Sequence, residues 1–281
     1  MTTTLSSTTT STLTTSTRTA AQAFGAAASR VWPAALLLVV VLVLWEAAVV
    51  VFGVSSFVIA KPTEIAAELV TGWSILGPAT WITAAEVILG FLISVVVGIA
   101  LALVIVRFEW VERAVYPLIV LFQVVPKVAL APIFILWFGY SMVPKLVLIV
   151  VMAFFPITIN MVLGLKRIEE DHLLLMRSVG SSRNQILFQV QLPMSLPNLF
   201  AGIRIAITLA VIGAVVAEFA GSQNGLGYLI QFASTQLDTP MMFAALVVVS
   251  VLGLICYYAI DLVELIVARA FPHIATDDEQ R

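Results

Sequence analysis

Among the charged residues that lie within long apolar runs of this sequence, where charge is expensive, three are candidates for chemistry: Glu86, Lys127 and Glu218. A charged side chain at the centre of a bilayer costs about 3 kcal/mol on insertion scales, so such residues pair with one another or line a polar cavity. We predict that Lys127 lies on a solute pathway and attracts an anionic or acceptor-rich compound. Glu86 or Glu218 would be its partner, with Glu218 near an external gate. The alternatives are a Lys127 that snorkels to the membrane interface and carboxylates that are solvated there.

The residue pattern gives little support for a metal site, a catalytic site, a cofactor site or a nucleic-acid surface. His172 and His273 are far apart in sequence and neither has a cysteine nearby, so no metal site is predicted. No nucleophile and base stand at a suggestive spacing, which argues against a membrane-embedded enzyme. The chain has no GxxxxGK[ST] loop, so it has no phosphate cradle of its own, and we expect it to bind no cofactor. Its net charge of -2 gives no indication of a nucleic-acid surface.

The composition is that of an all-α, polytopic membrane protein. Of the 281 residues, 61% are hydrophobic and 11% are charged, and the mean hydropathy is +1.10. A soluble domain needs more polar surface than this. A transmembrane helix needs about 20 apolar residues, and about six stretches reach that length. They are 33–53, 80–106, 114–138, 143–165, 199–220 and 242–267.

The two ends of the chain are predicted to be tails that flank one membrane domain, 30–270. Residues 1–29 are rich in Thr, Ser and Ala and are predicted to be a disordered tail, because they cannot bury enough apolar surface to fold. Residues 271–281 are predicted to be a short C-terminal tail. The single Cys256 lies in an apolar run and allows no internal disulfide.

Connections rich in lysine and arginine alternate with connections that have few, and this pattern predicts how the chain is oriented in the membrane. Every second connection is basic, and basic connections face the cytoplasm. Both termini are therefore predicted to be cytoplasmic, and 54–79 and 221–241 external, with Pro62 starting a short interfacial helix. The basic connections hold Arg18, Arg30, Arg107, Arg113, Lys166, Arg167, Arg177, Arg183, Arg269 and Arg281, and the others only Lys61 and Lys145.

The cytoplasmic connection 168–197, called here the 168–197 loop, has the pattern of two short amphipathic helices. Gly180 is placed to end the first in a left-handed conformation. Ser182, with Gln185 three residues later, forms a capping-box pattern that begins the second. Pro193 and Pro197 are predicted to end that helix and redirect the chain. Either the loop lies on the membrane surface, or it docks into a groove of another protein.

Small residues recur every fourth position in the fifth span, at Gly202, Ala206, Ala210 and Ala214. Side chains of this size let helices approach closely in a membrane. Two interpretations remain open: packing within the chain, or packing at a pore or dimer axis.

The segment MRSVGSSRNQILFQVQLPMSLP resembles the cytoplasmic signature of ABC importer permeases. Gly180, Leu192 and Pro193 match its fixed positions and Val190 its apolar one. Leu174 and the two residues after it replace the Glu-Ala-Ala that the family often has. VPKVALAPIFILWFGYS and GLGYLI resemble the branch of nitrate, sulfonate, taurine and bicarbonate permeases, including riboflavin and pyrimidine-precursor relatives. The resemblance covers about residues 33 to 268.

The resemblance implies partners and a mechanism. The chain is expected to be a multi-pass subunit of a bacterial plasma (inner) membrane, surrounded by lipid and paired with a second permease copy. An external solute-binding protein would deliver solute. A cytoplasmic ABC ATPase dimer would hold the ATP and magnesium, and the 168–197 loop would be the coupling helix. The residues that this assigns to ATPase coupling are Met176, Arg177, Gly180, Ile186, Leu192 and Pro193.

The substrate is the least specified expectation. The segment PKVALAP favours riboflavin or a pyrimidine precursor over sulfonates, and nitrate, sulfonate or taurine remain the alternatives. The rival function is a secondary carrier for a small anion, with Glu86 and Lys127 as a coupling-ion site; such a carrier would not explain a capped cytoplasmic loop.

Overall fold

The computed structural model describes residues 20–167 and 170–270, and within these ranges the regular structure is helical throughout. Most of the predicted N-terminal tail and the C-terminal tail lie outside the described residues. In chain order the α-helices are α1 (Ala20–Val51), α2 (Pro62–Thr71), α3 (Trp73–Arg107), α4 (Glu109–Val124), α5 (Ala131–Phe138), α6 (Met142–Lys166), α7 (Glu170–Ser178), α8 (Arg183–Ile186), α9 (Leu192–Gly221), α10 (Leu226–Thr235) and α11 (Thr239–Ala270).

The chain divides into two units, one up to Val54 and one from Ser55 onward. The first unit contains α1, which begins at Ala20, inside the predicted tail 1–29, and includes the apolar stretch Trp32–Val51. The second unit contains the other helices and the buried core.

Among the described residues, five stretches are long and apolar enough to cross a membrane: Trp32–Val51, Trp73–Arg107, Met142–Lys166, Arg183–Gly221 and Thr239–Arg269. The sixth predicted span, 114–138, is not one continuous helix. It consists of α4, an extended Val125, a 3₁₀ turn at Lys127–Leu130, and α5. Pro126 lacks the N–H that would continue α4, and it disfavours helical geometry at Val125. The predicted break at this proline is confirmed, and a continuous third span was wrong.

The short helix predicted to start at Pro62 is confirmed as α2. The Glu64 carboxylate closes its first turn by accepting the Lys61 backbone N–H at 3.1 Å and the Ser56 hydroxyl at 3.0 Å. The Lys61 N–H lowers the pKa of Glu64, and the Ser56 hydroxyl adds to that effect. Thus α2 begins with a proline at its first position and a carboxylate facing its free N–H groups.

The core of the second unit forms around α6, which lies between α3 and α9. Glycines allow the close approach. A Cβ on Gly98 of α3 would lie 2.9 Å from the Phe154 carbonyl oxygen of α6. A Cβ on Gly202 of α9 would lie 2.7 Å from the Pro156 carbonyl oxygen. Backbone atoms on a buried helix cannot move aside cheaply, so these positions exclude a side chain.

Gly202→Ala is expected to destabilise the protein by about 1–3 kcal/mol, because the methyl group would overlap the α6 backbone. Gly253→Ala is the matched control, since a Cβ there would only touch Val211 at an ordinary 3.7 Å. The control should be neutral or stabilising by up to about 1 kcal/mol, from helix propensity. Denaturant unfolding in micelles, followed by circular dichroism, measures both. Equal effects of the two substitutions would contradict the close packing of α6 and α9.

Candidate functional site

The 168–197 loop, of which the structure describes 170–197, reverses direction at Gly180. This residue has φ +81°, a conformation that glycine adopts without strain. The Gly180 N–H donates to the Arg177 carbonyl and the Ser181 N–H to the Met176 carbonyl, both at 3.0 Å. This pair of bonds is a Schellman motif, which satisfies the last carbonyls of α7. The predicted left-handed stop at Gly180 is confirmed.

The second helix of the loop begins with the predicted capping box, which is also confirmed. The Ser182 hydroxyl accepts the Gln185 backbone N–H at 3.3 Å, and the Gln185 side chain accepts the Ser182 N–H at 2.8 Å. Each residue thus satisfies a free N–H of the other. The start of α8 is therefore fixed by local hydrogen bonds.

The predicted end of this helix at Pro193 was wrong. Helix α8 runs through one π-helical segment, Leu187–Gln191, directly into α9. The Leu192 N–H donates to the Leu187 carbonyl, five residues back, and Pro193 then lies in the first turn of α9. A proline there has no hydrogen bond to lose, because the π turn already displaces the helical pattern. Pro197 is likewise inside α9.

The loop presents apolar side chains outward. Ile186 is buried at 6% exposure, Met176 is half-buried and Arg177 is exposed. Leu192 and Pro193 are half-buried in the first turn of α9. Among the described side chains of the loop, the large apolar ones that stay exposed are Leu174, Leu175, Val179, Phe188 and Met194. A backbone fixed by caps that exposes apolar groups is typical of a docking surface.

Lys127 lies at the backbone break, in the 3₁₀ turn that follows Pro126. Its side chain is half-buried, and its ammonium lies 5.3 Å from the centre of the Phe155 ring on α6. This distance is that of a cation–π contact. The predicted partnership with Glu86 or Glu218 is replaced by this aromatic contact, because both carboxylates have other partners.

Glu86 forms an ion pair with Lys145 instead. The Lys145 ammonium lies 2.6 Å from the Glu86 carboxylate and donates to the Ser222 hydroxyl oxygen at 2.8 Å. Glu86 is only 3% exposed, so the pair lies inside the protein. It joins α3, α6 and the residue that follows α9. Lys145 lies just inside the predicted fourth span, a position that could have indicated a partner for Glu86.

Glu218, 1% exposed, binds the start of α10. Its carboxylate accepts the Thr83 hydroxyl at 2.7 Å and the Gly227 backbone N–H, and the Thr83 oxygen accepts the Leu226 N–H at 2.8 Å. An anion at a helix N-terminus is stabilised by the free N–H groups and the helix dipole. Glu218 therefore caps α10 from another helix.

The contact between Glu218 and the start of α10 requires glycine at the first position of the GLGYLI motif. Gly225 has φ +106°, and a Cβ there would lie 2.1 Å from a Glu218 carboxylate oxygen. From the sequence, the motif indicated only the family resemblance and no connection to Glu218 or Thr83. No sequence pattern pointed to Thr83.

The small residues of α9 face the interior of this chain. Ala206, Ala210 and Ala214 are fully buried in the core cluster, and Gly202 approaches the α6 backbone. Within one chain they serve close helix packing. The loop and the buried polar clusters lie toward opposite ends of the long helical segment Arg183–Gly221.

Comparison with known proteins places this architecture among transport proteins. Residues 94–269 match the family described as "Binding-protein-dependent transport system inner membrane component". The formylaminopyrimidine transport permease protein ThiX of Halalkalibacterium halodurans is 38% identical, over 82% of this chain and 92% of the relative. The riboflavin transport system permease protein RibX of Chloroflexus aurantiacus is 33% identical, over 85% of this chain and 91% of the relative.

The fold also resembles a solved structure. A chain of the MetNI methionine ABC transporter, in an inward-facing conformation, superposes with a TM-score of 0.61 and 21% sequence identity. The match covers 68% of this chain and 95% of that chain. At this identity the similarity concerns the fold alone.

Proposed function

The chain belongs to the family of binding-protein-dependent transport system inner membrane components and is a permease subunit of an ABC importer for a small solute; from this premise, we propose that its 168–197 loop couples it to a separate ATPase. The observation that carries the proposal is the fixed backbone of the loop, with its Schellman turn at Gly180 and its capping box at Ser182. Such a loop can receive force without first having to fold.

The proposed assembly contains two copies of this chain, two ATPase subunits on the cytoplasmic side and an external solute-binding protein. Exposed Leu174, Val179 and Phe188 supply the apolar contact with the ATPase. ATP and magnesium belong to the ATPase, and the chain itself contributes movement. In this orientation both termini and the 168–197 loop are cytoplasmic. A secondary carrier built on Glu86 and Lys127 loses its support, because Glu86 is paired with Lys145.

For the substrate we propose a pyrimidine precursor of the formylaminopyrimidine class, with riboflavin as the second candidate. Two observations support a heteroaromatic solute. The named relatives at 38% and 33% identity carry such compounds. Lys127 places a half-buried cation next to an aromatic ring at a broken segment of backbone, and broken backbone at membrane depth occurs where it lines a cavity or is buried in protein.

The test is substrate-stimulated ATP hydrolysis in nanodiscs that contain the permease, its ATPase and its binding protein. Formylaminopyrimidine should stimulate hydrolysis more strongly than riboflavin or taurine. Lys127→Met should reduce the stimulation by about tenfold, equivalent to one lost contact of about 1.4 kcal/mol. Lys61→Met, in the connection before α2, is the control and should leave it unchanged. Preferential stimulation by taurine would overturn the substrate assignment, and hydrolysis that never responds to any solute would overturn coupling.

A further inference from the structure

A cleft of about 660 Å³ lies between the junction of α3 and α4 and the 168–197 loop. Four arginines from these two separate parts of the chain line it: Arg107 and Arg113 on one side, Arg177 and Arg183 on the other. Among the described side chains that line the cleft, none is acidic. Arg107 also lies over the Phe108 ring, 5.5 Å from its centre. Several arginines along one cleft raise the local positive potential, which favours binding of an anion.

Apolar side chains form the other part of the lining of the cleft. Ile186 and Leu187 of the loop line it together with Val106 at the end of α3. Trp110 lines it as well and is 72% exposed, and indole rings are enriched where a membrane meets water. The cleft is thus lined by cationic side chains, apolar side chains and an exposed indole ring.

This combination favours an anion that has an apolar portion. A free phosphate ion would satisfy the arginines but would leave exposed Trp110 and the other apolar side chains of the lining uncovered. A phospholipid satisfies both parts of the lining, because its phosphate can meet the guanidinium groups and its glycerol and upper acyl chains can cover the apolar side chains. Basic pockets between transmembrane helices on the cytoplasmic side bind such headgroups.

We propose that this cleft binds the headgroup of an anionic phospholipid of the cytoplasmic leaflet and that the bound lipid holds the 168–197 loop against the α3–α4 junction. The inference rests on the proposed function for the cytoplasmic side on which the loop lies. The bound phosphate would bridge Arg107 and Arg183, which belong to segments 76 residues apart in sequence. Lipid composition would then control how firmly the loop is held for the ATPase.

The test is a titration of the purified permease, without ATPase, with phosphatidylglycerol, followed by native mass spectrometry and compared with phosphatidylcholine. Wild type should bind phosphatidylglycerol preferentially. Each arginine near a charged lipid surface contributes about fivefold, so Arg107→Gln/Arg183→Gln should weaken binding by about 25-fold. Arg107→Lys/Arg183→Lys keeps the charge and should retain most of the affinity, and Arg269→Gln, in the last turn of α11, is the control outside the cleft.

The outcomes separate the possible sources of phosphate. If millimolar inorganic phosphate fully displaces phosphatidylglycerol, the cleft binds a free anion and the lipid proposal is overturned. Equal binding of both lipids, or an equal loss in Arg269→Gln, would also overturn it. The binding assay contains no ATPase, so failed coupling alongside normal lipid binding would count against the proposed function only. In nanodiscs with the ATPase, phosphatidylglycerol should raise hydrolysis in wild type severalfold and should not do so in Arg107→Gln/Arg183→Gln.

Discussion

Lys145→Met is expected to lower the free energy of unfolding by about 3–5 kcal/mol, the cost of leaving a buried charge without its partner. The substitution preserves most of the apolar stem but removes the ammonium that lies 2.6 Å from the Glu86 carboxylate. With Glu86 only 3% exposed, water cannot replace the lost partner. One Glu86 oxygen, Oε2, has no hydrogen-bond partner among the described residues, so the carboxylate depends strongly on this lysine.

Denaturant unfolding in micelles measures the free energy of unfolding that Lys145→Met loses, and a double variant tests the cause of that loss. Glu86→Gln/Lys145→Met removes both charges, so it should recover most of the lost stability. Lys61→Met removes a more exposed ion pair with Glu64 and should have little effect. If the double variant is as unstable as Lys145→Met, packing of the lysine stem, rather than the charge, is what stabilises the junction of α3 and α6.

Gly180→Val is expected to reduce substrate-stimulated ATP hydrolysis by roughly 5- to 30-fold, the effect of about 1–2 kcal/mol of backbone strain on the population of the ordered loop. A β-branched residue at φ +81° strains the Schellman turn that ends α7. Among the described residues, none has an atom within 4 Å of a Cβ built on Gly180, so a steric clash with them cannot account for the loss.

Gly180→Asn separates backbone conformation from side-chain size. Asparagine tolerates the left-handed region, so this variant should keep most of the activity. Co-purification with the ATPase, measured beside hydrolysis, shows whether assembly or coupling is lost. Gly180→Trp should be worse than Gly180→Val if the ATPase closely covers this position. Normal coupling in Gly180→Val would mean that the turn at Gly180 does not transmit force.

The local features of the loop were predictable because they depend on neighbours in sequence. Gly180 needs only its own φ value, and the bond between Ser182 and Gln185 closes over three residues. The membrane spans were predictable for a similar reason, since length and apolarity are local properties. Pro126 even marked the broken third segment, although a continuous run of apolar residues around it suggested one helix.

The partners of the buried charges were not predictable, because they depend on how distant helices pack. Glu86 and Lys145 are 59 residues apart, and Glu218 and Thr83 are 135 apart. Hydropathy identifies a charge that needs a partner but does not say which helix supplies it. The predicted helix end at Pro193 was wrong for a different reason. Proline usually ends a helix, but a π turn before it supplies a register in which the missing N–H has no consequence.

The continuity of the helical segment Arg183–Gly221 has a mechanical consequence. At 1.5 Å per residue, the 36 residues from Arg183 to Glu218 correspond to a length of about 54 Å. The segment carries the capped turn at one end and, at the other, the carboxylate that binds the start of α10. If this segment tilts as one body at its loop end, its far end moves in the opposite sense about a fulcrum, here the close contact of Gly202 with α6. Under the proposed function, movement of the ATPase at the loop would then reach the start of α10 as leverage through this single helical segment.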